Sequence, residues 1–237
     1  MKKRVYIPAR YKSSRLPGKP LIKIAGKEMI LHVCERVSEA VGTENVEVLT
    51  DDARIFSVVE SAGYLVSMTP EDCLTGTDRI AEAVKNTDID VAINVQGDEP
   101  LIPIEDVKRV FDMANKDEVL NCYTAINNID DLNRSTLPKV VFNEDDYLLY
   151  MSRAPIPNDK ELTNHSGFKQ VCIYSFPRKA LELYGLGTIK TPLESVEDIE
   201  ILRLLEKGWK IKMLDAQSTV AVDVQEDVDK VESILNG

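Results

Sequence analysis

The 237-residue chain lacks the features that mark several classes of protein. No apolar run approaches the roughly 20 residues that a membrane-spanning helix requires, and residues 1–20 lack the apolar core of a secretory signal. The four cysteines form no CxxC pair and only two histidines accompany them, so neither a zinc site nor a disulfide framework is indicated. These absences predict a soluble, cytoplasmic protein whose cysteines are small buried hydrophobes in a reducing compartment.

The sequence also has no excess of positive charge. Forty acidic residues against 29 basic ones give a formal net charge of −11, which disfavours binding to nucleic acid or insertion at an anionic lipid surface. One loop is positively charged despite this negative net charge. The segment RYKSSRLPGK carries four cations, at Arg10, Lys12, Arg15 and Lys19. A small polyanionic ligand is the simplest partner for such a loop.

Strand-like apolar runs alternate with helix-like patterns in the first half of the chain. The patterns predict strands at Arg4–Pro8, Val46–Thr50, Tyr64–Met68 and Val91–Val95, and helices at Glu28–Val41, Ala53–Ala62 and Thr77–Lys85. This alternation is typical of a parallel sheet with right-handed crossovers and helices on both faces. Such sheets bind ligands at the carboxyl ends of their strands, which is where the basic loop begins.

The second half is less regular. It contains a predicted helix at Ile104–Ala114, strands at Leu120–Ile126, Lys139–Phe142, Tyr147–Ser152 and Gln170–Phe176, then a helix at Ser195–Lys207, a strand at Lys210–Leu214 and a helix at Val224–Leu235. We interpret this pattern as one α/β domain over residues 1–237, in which residues 139–190 form a smaller, partly antiparallel extension. Edges of this kind often pair between subunits.

The basic loop contains the groups that phosphate binding requires. Arg10 and Arg15 have planar guanidinium groups that can donate two hydrogen bonds to phosphate oxygens, and Lys19 adds a positive charge. Ser13 and Ser14 supply backbone N–H donors close to the ligand. The loop is not a P-loop, because the GxxxxGK[ST] pattern is absent. A solvated basic loop that pairs with nearby acids is the alternative, but the position after the first parallel strand favours phosphate binding.

Two acidic segments are candidates for a metal site. In NVQGDEP, Asp98 follows an apolar strand beside Gly97, and a carboxylate there suits a Mg²⁺ held jointly with substrate phosphates. A simple turn is an equally good interpretation of GDEP. Near the carboxyl terminus, Asp223 follows another apolar run, where capping of the last helix is its simplest role. A metal role for Asp223 requires Asp98 nearby in space.

Five segments, in order and across nearly the whole chain, resemble the family of 3-deoxy-manno-octulosonate (Kdo) cytidylyltransferases, the CMP-Kdo synthetases. They are IPARYKSSRLPGKPL, TGTDRI, INVQGDEPLIP, KVVFNEDDYLLYMSRAPIP and AVDVQEDVDKV. The resemblance implies a Rossmann-like, mixed but largely parallel sheet of nucleotidyltransferase type and a homodimer. It also implies a Mg²⁺-dependent reaction of CTP with Kdo, a 2-keto-3-deoxy sugar acid, in the synthesis of lipopolysaccharide precursors.

The same resemblance implies roles for individual residues. Catalytic groups that hold the triphosphate and metal are expected at Arg10, Arg15, Lys19 and Asp98. Further contacts to the nucleotide are expected from Ala9, Ser13, Ser14, Thr75, Gly76 and Arg79, with Thr50 and Asp51 near the pocket. The magnesium ligands are expected to be Asp98 and Asp223. The sugar acid is expected to meet Gln96, Arg153, Gln170, Tyr174, Glu197 and Glu200, with Arg153 as the partner of its carboxylate.

Two departures from the family pattern lie in the second half of the chain, where the resemblance implies that the sugar acid binds. Where the family pattern is K-H-x-G-I-Y, this chain has KQVCIY, so Gln170 replaces a histidine. Where the family pattern is E-S-L-E-Q-L-R, this chain has EDIEILR, so Ile201 replaces a glutamine. On a helix, Ile201 would lie on the same side as Glu197. The changes are either neutral, with Kdo as substrate, or favour a related acid such as 8-amino-Kdo or a nonulosonic acid. A sugar-phosphate nucleotidyltransferase and a non-catalytic nucleotide-binding regulator are further alternatives.

Overall fold

A computed structural model describes residues 1–12, 16–161, 163–164, 166–185 and 189–236. The strands are β1 Lys3–Ala9, β2 Lys23–Ile24, β3 Lys27–Glu28, β4 Val46–Thr50, β5 Leu65–Met68, β6 Val91–Val95, β7 Val119–Ile126, β8 Lys139–Phe142, β9 Leu148–Ser152, β10 Gly167–Pro177 and β11 Ile211–Asp215. The α-helices are α1 Met29–Val41, α2 Ala53–Ser61, α3 Gly76–Val84, α4 Ile104–Met113, α5 Ile129–Asn133, α6 Arg178–Gly185, α7 Pro192–Glu197, α8 Leu202–Glu206 and α9 Gln225–Asn236.

The main sheet combines a parallel half with an antiparallel extension. Its strand order is β11-β7-β10-β6-β1-β4-β5, and β8 and β9 continue from β10. Strands β6, β1, β4 and β5 are parallel, whereas β10 runs antiparallel to β6, β7 and β8. The predicted fold class is confirmed, and the carboxyl ends of β1 and β6 lie side by side.

Helices cover both faces of the sheet, which explains the continuous apolar run of β1. Side chains alternate across the strand, so Val5 and Ile7 pack into one core with Val33 of α1, while Tyr6 packs into the other with Ile80 of α3. A strand buried on both faces needs no polar alternation. The strand ends at Ala9, where the chain leaves the sheet as the basic loop.

The last helix is anchored far from its position in the sequence. Residues Val228 and Val231 of α9 pack with Ile24 and Met29 around the β2–β3 hairpin. The backbone N–H of Ala25 also donates to the Glu232 side chain at 2.8 Å. This packing brings the segment before α9 next to the loop that follows β1.

The predicted helix at Ser195–Lys207 is wrong. Helix α7 ends at Glu197, Asp198 has a left-handed conformation with φ 52°, and α8 begins only at Leu202. Ile201 is 1% exposed and belongs to the hydrophobic core. The expectation that Ile201 lies on the same helix face as Glu197 is therefore also wrong, because the helix is interrupted between Glu197 and Leu202.

In the part of the chain that the structure describes, no helix combines the length and apolarity needed to cross a membrane. The cysteine prediction holds for two residues, since Cys34 and Cys122 are buried. Cys73 and Cys172 are only partly buried and lie in cavity walls.

Candidate active site

Lys19 lies between two aspartates that are distant in sequence. Its Nζ is 2.7 Å from Asp98 Oδ2 and 3.2 Å from Asp223 Oδ1. The Val222 N–H donates to the Asp98 carbonyl oxygen at 2.9 Å, which holds the segment before Asp223 against the loop after β6. Three residues predicted to act together are thus in direct contact.

The electrostatics of this group favour a cation between the carboxylates. Burial alone would lower the pKa of Lys19, whose side chain is 13% exposed, but the charges of Asp98 and Asp223 outweigh burial and raise that pKa above its ordinary value. The carboxylates keep partial access to solvent, with 29% and 33% of their side chains exposed. A cation that approaches from the solvent side can therefore reach both.

Asp223 lies just before the final helix, and its Oδ1 pairs with Lys19 Nζ. The main chain of the same segment is held by Asp227, whose Oδ2 accepts from the N–H groups of Asp223 at 2.9 Å and Val224 at 3.1 Å. Such bonds from an acid in the first helical turn are one half of a capping box. The capping role of Asp223 itself stays a prediction.

A first cavity of about 270 Å³ opens at the carboxyl ends of β1 and β6. Predicted residues in its wall are Ala9, Arg10, Lys19, Thr75, Gly76, Arg79, Gln96, Asp98, Glu200 and Asp223. Ser13, Ser14 and Arg15 lie outside the described residues. Thr50 and Asp51, which were expected near this pocket, are not among the described residues of its wall.

The cavity wall includes the start of helix α3, where Gly76 allows close packing. A Cβ on Gly76 would lie 3.0 Å from the Pro8 side chain and 3.3 Å from Gln96 Nε2, which is too close without movement of these neighbours. Thr75 caps the helix, because its Oγ1 accepts from the Asp78 N–H at 3.1 Å. The helix start therefore packs directly against the ends of β1 and β6.

The first amides of α3 are bound by Glu200 from the other side of the cavity. The Glu200 carboxylate accepts from the N–H groups of Gly76 at 3.3 Å and Thr77 at 2.9 Å, and from the Thr77 hydroxyl at 2.6 Å. Burial raises the pKa of Glu200, and the bonds from Thr77 oppose that rise. Glu200 lines the cavity, but its oxygens hold the helix in place.

Arg79 also has a structural partner. It is 3% exposed, its Nη2 is 2.9 Å from Asp51 Oδ2, and its Nη1 donates to Thr69 Oγ1. These bonds tie α3 to the ends of β4 and β5. The residue contributes to the cavity wall, while its charge is matched by Asp51.

A second cavity of about 340 Å³ adjoins the first. The two share the wall residues Gln96, Asp98, Asp198, Glu200 and Asp223. The predicted sugar-binding residues Arg153, Gln170 and Tyr174 line the second cavity. The paired aspartates therefore lie where the two cavities meet.

Arg153 is fixed in the second cavity by backbone carbonyls. Its guanidinium donates to the carbonyl oxygens of Glu197, Asp198 and Ser135, the last two at 2.9 Å. Three of its five N–H donors are used in this way, and its Nη2 also lies 3.9 Å from Asp198 Oδ2. The other two donors have no hydrogen-bond partner among the described residues.

Glu197 does not line either cavity among the described residues, and its contact with the sugar acid stays a prediction. Its carboxylate accepts from the hydroxyls of Tyr150 and Ser152 and from the Arg153 N–H at 2.8 Å. Although burial opposes ionisation, these donors leave the pKa of Glu197 below its ordinary value. Glu197 supports the end of β9.

Gln170 presents an amide in the second cavity where the family pattern has an imidazole. Its Nε2 donates to Asn121 Oδ1 at 3.0 Å, and Asn121 in turn donates to the carbonyls of Val171 and Ile173 at a bulge in β10. Tyr174 is 5% exposed, and burial raises its pKa well above the ordinary value, so its phenol keeps its proton.

Sequence reasoning gave no role to two ionisable residues here. Glu99 is 3% exposed in the second cavity, its Oε2 has no hydrogen-bond partner among the described residues, and burial followed by the charge of Asp98 raises its pKa to about 8. The only signal was its place in GDEP. Lys139 is fully buried behind the cavity. A lysine that begins a strand gives no sign of burial.

The match to known proteins agrees with this geometry. A family model described as cytidylyltransferase matches residues 5–212.

The chain belongs to the cytidylyltransferase family.

Individual members of the family match it along its whole length. The 3-deoxy-manno-octulosonate cytidylyltransferase 2 of Hydrogenovibrio crunogenus is 42% identical, with 100% of this chain and 99% of that protein covered. The 8-amino-3,8-dideoxy-manno-octulosonate cytidylyltransferase of Shewanella sp. (strain ANA-3) is 40% identical, with 97% and 96% covered. The predicted resemblance to CMP-Kdo synthetases is thereby confirmed.

A solved structure from the same family gives a close structural match. It is a CMP:2-keto-3-deoxy-manno-octonic acid synthetase complexed with CTP, 36% identical, with a TM-score of 0.89 and coverage of 100% of this chain and 99% of that one. The nucleotidyltransferase-type fold predicted for this family member is therefore confirmed.

The residues present fit a magnesium ion shared with a substrate. Over the described ranges, no group of three or more His, Cys, Asp and Glu side chains forms a self-contained metal site. Asp98 and Asp223 do converge on one cationic group, Lys19 Nζ. Mg²⁺ is typically held by one or two carboxylates together with substrate phosphates and water, which matches this incomplete donor set.

Proposed function

We propose that the protein transfers CMP from CTP to the anomeric 2-hydroxyl of a 2-keto-3-deoxy sugar acid, with Kdo as the best-supported acceptor, and releases pyrophosphate. The observation that carries the proposal is the pair of adjoining cavities that share Asp98 and Asp223. Two substrates in contact across this junction would place a nucleophile beside the α-phosphate. The full-length similarity to Kdo cytidylyltransferases supports the same reaction.

The first cavity is assigned to CTP. Arg10 and Lys19 line it, and with Arg15 they supply the positive charge that a triphosphate requires. Ser13 and Ser14 belong to the same loop and are assigned to the phosphates. The backbone of Ala9 and the start of α3 at Thr75 and Gly76 are assigned to the nucleoside.

The second cavity is assigned to the sugar acid. Two N–H donors of Arg153 have no hydrogen-bond partner within the described ranges, and a guanidinium suits a carboxylate in bidentate geometry. The side chains of Gln96, Gln170 and Tyr174 offer amide and phenol groups to hydroxyls of the sugar. Exclusion of water by the substrates would protect the phosphorus from hydrolysis.

The mechanism is an in-line displacement that depends on positioning and charge. The 2-hydroxyl oxygen forms a bond to the α-phosphorus while the bond to the pyrophosphate oxygen breaks, and the hydroxyl proton leaves to solvent. Arg10, Arg15 and Lys19 stabilise the charge that develops on pyrophosphate, each contributing on the order of 3 kcal/mol. Asp98 and Asp223 would hold Mg²⁺, whose chemistry is to neutralise phosphate charge and acidify a bound hydroxyl.

Asp98→Asn tests whether this is an enzyme or a non-catalytic nucleotide-binding regulator. The variant should lose roughly 100-fold or more in pyrophosphate release, while calorimetry shows that CTP still binds. Asp90→Asn is the matched control, because Asp90 precedes the same strand at its opposite end and pairs with Lys116. Full turnover by Asp98→Asn would refute the catalytic assignment.

A second candidate substrate is the 8-amino analogue of Kdo. Gln170 in the second cavity and the 40% identity to an 8-amino-3,8-dideoxy-manno-octulosonate cytidylyltransferase both favour it. Pyrophosphate release should be measured with CTP and Kdo, 8-amino-Kdo or a nonulosonic acid. Inactivity of Kdo beside a reactive analogue would end the Kdo assignment.

A homodimer formed through residues 139–190 completes the proposal. Phe142 and Phe168 of this extension pack against each other and against Tyr123 of β7, with ring centroids 4.5 to 5.1 Å apart, and Phe168 is 38% exposed. Sedimentation equilibrium of the wild-type protein and of Phe168→Glu tests this surface. A wild-type monomer would refute it.

A further inference from the structure

Lys139, at the start of β8, is a buried cation whose partners are backbone carbonyls. Its side chain is 0% exposed, and its Nζ donates to the carbonyl oxygens of Arg134 at 2.9 Å, Leu137 at 2.7 Å and Arg153 at 2.6 Å. An ammonium group has three N–H donors, so all of them are used. A buried charge is costly unless it is fully hydrogen-bonded, which these three oxygens provide.

Two of the three carbonyls belong to residues that line the second cavity, Leu137 and Arg153, and the third belongs to Arg134 just before that wall. Thr136, Leu137 and Pro138 line one side of the cavity, and Arg153 lines another. Lys139 Nζ connects these two parts of the wall. It binds the carbonyls of Arg134 and Leu137 in the turn at residues 134–138, and it also binds the carbonyl of Arg153. The connection is made outside the cavity, so Lys139 itself does not meet a ligand.

The main chain of Arg153 is held from two sides by opposite charges. Glu197 Oε2 accepts its N–H at 2.8 Å, and Lys139 Nζ donates to its carbonyl oxygen. The guanidinium then donates to Ser135, in the same turn that Lys139 binds. Loss of the ammonium would release Arg153 and its carbonyl partner together.

We propose that Lys139 is the positioning residue of the sugar-acid subsite, fixing Arg153 and the turn at residues 134–138 in the geometry that receives the substrate carboxylate. The inference rests on the proposed function of the second cavity. A displacement of about 1 Å in a positioned group can reduce catalysis by about 100-fold. The residue therefore affects the sugar acid and not CTP.

Lys139→Met tests the inference, because methionine fills the space without the donors or the charge. We expect the KM for the sugar acid to rise roughly 10- to 100-fold, with unchanged CTP affinity in calorimetry. Lys3→Met is the matched control: Lys3 Nζ also donates to backbone carbonyls, those of Phe111 at 2.6 Å and Asp112 at 3.1 Å, but lies in neither cavity wall. Lys139→Gln replaces the first variant if that variant does not fold.

Hydrogen–deuterium exchange separates failure of this inference from failure of the proposed function. Exchange at residues 134–138 and 153 should be faster in Lys139→Met and unchanged in Lys3→Met. An unchanged KM for the sugar acid, or equal losses for CTP and sugar acid, would overturn the positioning role. If the wild type uses no 2-keto-3-deoxy acid, the proposed function fails. In that case unchanged exchange in Lys139→Met would refute the proposal that Lys139 fixes Arg153 and the turn. Faster exchange confined to these residues would support it.

Discussion

Lys19→Met should convert a closed pair of aspartates into an open cation site. In the wild type, Lys19 Nζ neutralises Asp98 and Asp223 at 2.7 and 3.2 Å. Its loss leaves two facing carboxylates that are about two-thirds buried and repel each other. Exposed ion pairs contribute up to about 1 kcal/mol and broken buried pairs cost about 3 to 5 kcal/mol, so this intermediate site should cost roughly 1 to 3 kcal/mol in unfolding free energy.

The same change should alter how the metal binds. Under the proposed metal assignment, Lys19 competes with Mg²⁺ for both carboxylates in the free wild type, and a triphosphate would draw the ammonium away. Lys19→Met should therefore bind Mg²⁺ without nucleotide at least roughly tenfold tighter than wild type, a difference of about 1.4 kcal/mol. Added Mg²⁺ should also recover part of its lost stability, because the ion binds only the folded state.

Isothermal calorimetry with Mg²⁺ and no nucleotide, together with urea unfolding with and without Mg²⁺, measures both effects. Lys12→Met is the matched control, since Lys12 lies in the same loop but pairs with Glu71 in solvent, where both side chains are more than 70% exposed. Equal Mg²⁺ affinity of the wild type and Lys19→Met without nucleotide would refute the competition.

Two further predictions concern residues that act through their neighbours. Asp227→Ala removes two hydrogen bonds to the main chain at residues 223 and 224; urea unfolding should show a loss of about 1 kcal/mol, and pyrophosphate release should fall more than CTP affinity. Unchanged turnover would show that Asp223 needs no such support. For Glu200, the pKa in the folded state lies above the ordinary value of 4.5, so the folded protein binds more protons than the unfolded one. The stability that this carboxyl contributes is therefore lost as the pH rises from 4.5 through the folded-state pKa. Glu200→Gln should flatten this part of the profile of urea midpoint against pH, and an unaltered slope would contradict the shift.

The predictable part of the fold is the part set by local pattern. Strands β4, β6 and β8 have the predicted bounds, because short apolar runs between turn or helix-start residues define a buried strand. The rule that ligands bind at carboxyl ends also placed Asp98 beside the basic loop. The convergence of Asp223 depends on α9 packing at the β2–β3 hairpin, a contact between the ends of the chain that no local pattern encodes.

The errors share one physical origin. The helix predicted through Glu197 and Ile201 is interrupted where Arg153 binds the carbonyls of Glu197 and Asp198, a tertiary contact that propensity does not contain. Lys139 was missed for the same reason, since its burial depends on carbonyls supplied by other segments. Charged side chains that serve the backbone resemble ligand-binding residues until their partners are known.

The shared wall between the two cavities has a consequence for inhibitor design. Five residues border both cavities, so under the proposed assignment a single molecule that links a cytidine portion to a sugar-acid mimic would contact this common set at its centre. Once one end is seated, the other meets its pocket at an effective concentration in the millimolar range for a short linker. A substitution in the common wall that evades such a compound would disturb both natural substrates as well.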